Sequence, residues 1–243
     1  MKNAALFTLL LFFYFQAEAQ NASTMSGDIG LGLFVTPPNV LGKSTQSSVL
    51  PYTYFDYGVF FSHVDTLGFK LLPLGAGSLN LVGRVTFDEM DAQRGLDKRE
   101  NSRPIGIGTE QKTPLGILSL NAFVDANQSH GTLLEAIYGS KLSFGSAFSF
   151  YPQLGMERRS SSYNNYFYGV TPSESAASGI GSYQASASND VILGLTTQAR
   201  LIGNLYSNLT LRRTWLGSGI SDSPIVHHSY ENSLIASLTY HIK

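Results

Sequence analysis

Residues 78–88 read "SLNLVGRVTFD". Leu79, Leu81, Gly83, Val85 and Phe87 alternate with Ser78, Asn80, Arg84, Thr86 and Asp88, and Val82 is the single breach. A period of two puts one set on each face of an extended strand. The pattern recurs in 233–242, "SLIASLTYHI", where Leu234, Ala236, Leu238, Tyr240 and Ile242 oppose Ser233, Ser237, Thr239 and His241, breached by Ile235. Residues 204–215 and 116–125 alternate likewise. Runs of about ten residues cross a bilayer when tilted, whereas sandwich strands are nearer five or six. Phe87, Trp215 and Tyr240 at the run ends suit the aromatic girdles of a membrane barrel. The expectation is that Leu81, Leu120 and Leu238 face lipid while Asn80, Asn121 and Thr239 face a lumen.

Composition agrees with an exported barrel. Lys2, the apolar run Ala4–Phe15 and Ala17-Glu18-Ala19 describe a cleaved signal peptide over 1–19. That run is too short to span a bilayer as a helix. The expected mature chain, 20–243, has no cysteine and therefore holds together without disulfides. Charged residues are 14% and aromatics 12%, and no later run of 18 apolar residues exists. Strand alternation hides hydrophobicity from a sliding window in this way. A net charge of −1 leaves no electrostatic footprint for nucleic acid. No glycine pattern for nucleotides and no metal-ligand spacing is present, so no cofactor is expected.

Twelve strands are predicted, near 28–36, 49–57, 59–64, 67–73, 78–88, 105–112, 115–125, 132–143, 146–157, 182–200, 203–215 and 231–242. Ten is the alternative if "VFFSHVDTLGFKLLP" (59–73) is one longer pair or an irregular insert. Connections after even-numbered strands are short, and those at 37–48, 89–104, 158–181 and 216–230 are long. Short turns at one end and long loops at the other are the pattern of an all-β, antiparallel outer-membrane barrel with periplasmic termini. One domain uses the whole mature chain. By parity, Arg84, Asp88, Glu135, Lys141, Asp190 and Arg212 face the lumen.

The longest loop contains "YNNYFYGVTPSESAASGIGSYQASAS" (163–188), aromatic and glycine-rich but without a nucleophile–base pair. This stretch, "TWLGSGISDSPIVHHSYENS" (214–233), "PYTYFDYGVFFS" (51–62), "LGFKLLP" (67–73) and "NLVGRVTFDEMDAQRGLD" (80–97) resemble, in order, segments of the MipA/OmpV family of outer-membrane barrels. The resemblance covers nearly all of the mature chain. The motif positions it assigns are Tyr163, Asn165, Tyr166, Tyr168, Gly169, Val170, Gly179 and Tyr183, with Ser223, Pro224, Ile225 and Val226 in the last loop. It implies contact with outer-membrane lipid and lipopolysaccharide. It also implies a scaffold that joins a periplasmic murein hydrolase to a murein synthase, or a surface antigen or adhesin, and no catalytic role.

Two alternatives belong to other classes. One is a small-solute channel, although lumenal charges of both signs in a narrow barrel more often cross-link the lumen than select solutes. A lipid A acyl hydrolase would use His227, Ser229 and Glu231 of "HHSYE" as base, nucleophile and orienting acid. For the 163–183 segment itself, aromatic and small polar residues suit either a recognition surface or a lid packed into the barrel mouth, and the expectation is a fixed aromatic lid leaning on the 222–226 turn.

Overall fold

The computed structural model describes residues 24–243. The expected signal peptide lies outside the described residues. The wall begins with β1 (Met25–Thr36), β2 (Gln46–Tyr57), β3 (Phe60–His63), β4 (Thr66–Leu74), β5 (Gly77–Arg84), β6 (Pro104–Thr113) and β7 (Gly116–Asp125). It continues with β8 (Thr132–Gly139), β9 (Leu142–Phe144), β10 (Phe148–Arg159), β11 (Ser188–Ile202), β12 (Leu205–Trp215) and β13 (Tyr230–Ile242). Every pairing is antiparallel, and β13 pairs back onto β1, so the sheet closes. The short β9 continues β8 along the same partner, β10, and the two form one interrupted stave of a twelve-strand barrel. Closure leaves every full-height strand paired on both sides, as a bilayer requires.

Following backbone partners once around the wall returns to β1 displaced by about 16 residues, a stagger that leans the strands steeply. Strand ends differ most from expectation in three places. Residues 85–88 leave the ladder after Arg84, and 182–187 form loop before Ser188. The stave expected over 132–143 breaks after Gly139. The pair β3–β4 is real but short, and Gly68 admits the Phe61 ring against its backbone, where any β-carbon would collide.

Alternation sorts the wall as expected. Leu81, Leu120 and Leu238 are 49%, 40% and 55% exposed on the outer face, while Asn80 and Thr239 are buried inside. Asn121 donates to the lumenal Glu135 at 3.0 Å. Arginine at Leu120 is therefore expected to destabilise the folded barrel by about 2–4 kcal/mol. Arginine at Asn121, with Glu135 in reach, is expected to cost far less. Urea titration of the refolded barrel in vesicles separates the two, and equal penalties would place β7 out of register by one residue.

Candidate functional site

At the end carrying the long loops, side chains from the loops and the wall pack into one cluster. α1 (Ser161–Tyr168) starts where the Ser160 side chain accepts from the Tyr163 backbone N–H, satisfying one free donor of the first turn. α2 (Pro172–Ser178) has Thr171 as N-cap, Pro172 in its first turn and a reciprocal Thr171–Glu174 capping box. It ends at Gly179 in the left-handed region, φ 74°. α3 (Ser218–Ser221) lies beside α1. Tyr163, Phe167 and Tyr168 bury their rings among Val40, Met90, Leu96, Ile220 and Ile225. Phe123 and Leu133 from the wall join the same cluster.

Most polar groups within this cap are paired; among the described residues the buried Asn164 Oδ1 is an exception, while its amide nitrogen donates to the Ser186 carbonyl at 2.8 Å. Tyr163 donates its hydroxyl to Asp88 Oδ2 at 2.8 Å. Burial foremost, and then the Asp88 carboxylate, hold that phenol protonated far above its ordinary range. Ser223 Oγ donates to the Tyr168 carbonyl at 2.6 Å, and Leu41 N–H donates to the Ile225 carbonyl at 2.8 Å. Asn165 Oδ1 accepts from Ala185 N–H at 3.1 Å, and its carbonyl accepts from Gly169 N–H. Val170 and Tyr183 exchange both backbone hydrogen bonds, and the Tyr183 hydroxyl donates to the Gly219 carbonyl at 3.2 Å. Tyr166 gives its carbonyl to Arg99 Nε at 2.6 Å. Val226 bridges to Val40, while Pro224 is exposed at the apex of its turn. The 163–183 segment thus does lean on the 222–226 turn.

Arg99 and Glu174 lock the cap to the 85–103 loop. Arg99 Nη2 donates to Glu174 Oε1 at 2.6 Å, with Glu174 only 2% exposed. Burial pushes the Glu174 carboxyl up, but hydrogen bonds from the Thr171 and Asp97 backbone, from Arg99 and from the Thr171 hydroxyl outweigh it and bring the pKa to about 2. A depressed carboxyl stabilises the folded form above its ordinary value of 4.5, and that stability is lost as pH falls toward about 2. Protease susceptibility of the 164–180 segment is expected to rise over that acid window. Glu174→Gln is expected to remove the acid transition while making the segment more susceptible at neutral pH.

Below the aromatic layer a belt of ion pairs spans part of the lumen. Arg84 meets Glu135 at 2.7 Å and Glu157 at 3.0 Å, and its guanidinium lies 4.5 Å over the Phe123 ring. Arg159 meets Glu157 at 2.7 Å and Asp190 at 3.1 Å, and donates to the Tyr168 hydroxyl at 3.0 Å. Asp190 Oδ1 accepts from Gly217 N–H at 2.8 Å. The belt therefore unites Arg84, Glu135 and Asp190 from the expected lumenal set with Glu157 and Arg159, which that set lacked. Asp88 belongs to the cap, Arg212 is a half-buried lumenal side chain of β12, and Lys141 is exposed at the opposite end, 5.7 Å over the Tyr151 ring. Toward that end the lumen is wet: Asp56 and Lys70 face inward with side chains 44% and 37% exposed.

Among the described residues, no hydrogen bond joins His227 to Ser229 or Glu231. His227 N–H donates to the Asn39 carbonyl, and the Ser229 carbonyl accepts from Leu216 N–H. Asn39 also exchanges hydrogen bonds with the His228 backbone, at 2.8 and 2.9 Å. The "HHSYE" stretch is thereby pinned by its backbone to the 37–45 loop.

A closed twelve-strand antiparallel barrel with an apolar outer band and a polar lumen defines an outer-membrane protein. The family described as MltA-interacting protein MipA matches residues 29–242, and the chain belongs to that family. It is 25% identical to YiaT of Escherichia coli over 234 residues, 93% of this chain and 94% of that one. To the MltA-interacting protein of Escherichia coli it is 28% identical over 148 residues, 60% of this chain and 59% of that protein. To the outer membrane protein Omp26La of Vibrio anguillarum it is 28% identical over 192 residues, 78% and 71% of the two chains. Among solved structures, the outer membrane channel DcaP of Acinetobacter baumannii aligns over 89% of this chain and 82% of its own, with 10% identity and a TM-score of 0.40.

Proposed function

We propose that this barrel is a non-conducting scaffold, closed toward the cell surface and presenting its short turns to periplasmic partners that remodel murein. The observation that carries it is the cap: four loops and the wall share one hydrophobic cluster over the Arg84–Glu135–Glu157–Arg159–Asp190 belt. A channel interior keeps its charges in water, whereas Glu135 and Glu157 side chains here are 4% and 8% exposed. The name of the MltA-interacting relative supplies the partner class, a murein-degrading enzyme. In this scheme the motif residues of the 163–183 and 223–226 stretches shape the closed mouth and do no chemistry. The small-solute channel remains the competing function, favoured by the wet inner half of the lumen.

Single-channel recording and partner capture test the two together. A barrel that is silent in planar bilayers and retains a purified murein transglycosylase on a column supports the scaffold. Frequent unitary steps without retention select the channel.

A further inference from the structure

The charged and histidine side chains borne on the strands point into the lumen, with two exceptions among the described residues. Arg158 near the end of β10 and Arg213 near the end of β12 alternate outward with Met156 and Trp215. An arginine on the lipid face destabilises by about 2–4 kcal/mol at mid-bilayer but only about 0–1 near the interface. Both lie toward the long-loop ends of their strands, where that penalty fades. One strand, β11, separates them, and they sit four positions apart along it, so their Cα atoms are about 16 Å apart. The lean of the strands brings the two to nearly the same depth.

Each guanidinium is oriented but not used up. Arg213 Nε donates to Asn232 Oδ1 at 2.8 Å, and its carbon lies 4.5 Å over the Tyr230 ring and 6.0 Å from Trp215. Tyr230 is in turn stacked on His228, with centroids 5.4 Å apart. Arg158 Nη1 donates to Asn189 Oδ1 at 3.0 Å. Among the described residues, both Nη atoms of Arg213 lack a hydrogen-bond partner, and neither arginine has a carboxylate. An exposed arginine fork of this kind matches phosphate oxygens. An apolar wall below and an aromatic shelf beside it match a lipid whose headgroup carries the phosphate.

We propose that Arg158 and Arg213 bind the headgroup of a doubly phosphorylated glycolipid in the outer leaflet, one phosphate to each guanidinium. The site holds its lipid from the side, against the β10–β13 wall, independently of whether the lumen conducts.

Trp215 is the only tryptophan of the chain, so its emission reports on this wall. The intact barrel in neutral detergent is titrated with bis-phosphorylated lipid A, with the same lipid dephosphorylated, with phosphatidylglycerol and with inorganic phosphate. Saturable change is expected with the first, at a Kd at least about tenfold below those of the other three. The Arg158→Gln/Arg213→Gln barrel is expected to lose that preference. If the double variant fails to fold, as judged by heat-modifiable migration, Arg158→Gln alone is used and is expected to weaken binding several-fold. Equal binding of dephosphorylated lipid, or an unchanged variant, overturns the proposal. Saturation by inorganic phosphate over the same range would make the site a general anion site and overturns the lipid assignment.

Discussion

A barrel lacking residues 164–180 is expected to insert as the intact chain does and to give unitary current steps in planar bilayers where the intact chain gives none. Insertion depends on the wall, whose strands pair around the full circle without this segment. The deletion removes Phe167 and Tyr168 from the buried cluster, the carbonyl that Ser223 binds, and the carboxylate that Arg99 binds. The belt beneath is not expected to close the lumen alone. Its members stand on β5, β8, β10 and β11, while from β12 through β2 no ion pair of the belt reaches across and the inward positions mix small Ser233 and Gly32 with Phe34 and Ile235. Removing the aromatic layer exposes a path along that side to the wet inner half. Capture of a periplasmic enzyme is expected to be unchanged, because the short turns are at the other end. A deletion variant that stays silent and loses its partner would make this segment the recognition surface and sink the lid.

The wall was legible in the sequence because its physics is local. A period of two needs only neighbouring residues, so it locates all twelve staves, including the short pair at Phe60–His63 and Thr66–Leu74, though not their ends. The resemblance of the 163–188 and 214–233 stretches to MipA/OmpV proteins supplied the family. The three short helices are not legible in this way: four aromatics around two asparagines suggest a loop at 163–168, and the turn at Ser218–Ser221 is too short to carry a period. The signal was nonetheless present: Thr171-Pro172-Ser173-Glu174 is a capping box with proline in the first turn. The Arg99–Glu174 pair spans 75 positions and leaves no local pattern, so only the folded chain could join its members. Arg84 and Glu135 were placed inside by parity, but parity says nothing about which inward charges meet. Lys141 shows the same limit, since it follows the break in its stave and stands exposed at the rim.

Arg84→Met is expected to destabilise the barrel by about 3–5 kcal/mol, the penalty for leaving a buried charge without its partner. Glu157 would keep Arg159, but Glu135 would retain only the Asn121 amide at 3.0 Å. Methionine fills the stem of the lost side chain and keeps its contact with Phe123, so the loss reads out charge and not volume. Adding Glu135→Gln should then recover most of the stability, because removing both members of a buried pair is often near neutral. The non-additivity of the two substitutions is the decisive quantity. Urea midpoints of the heat-modifiable band in detergent give all four corners of the cycle. Arg200→Met, exposed near the turn that starts β12, serves as the control and is expected within about 0.5 kcal/mol of the parent. If Arg84→Met also falls within that range, the belt is solvated. Water would then reach the underside of the aromatic layer, and the closed outer mouth would rest on the cap alone.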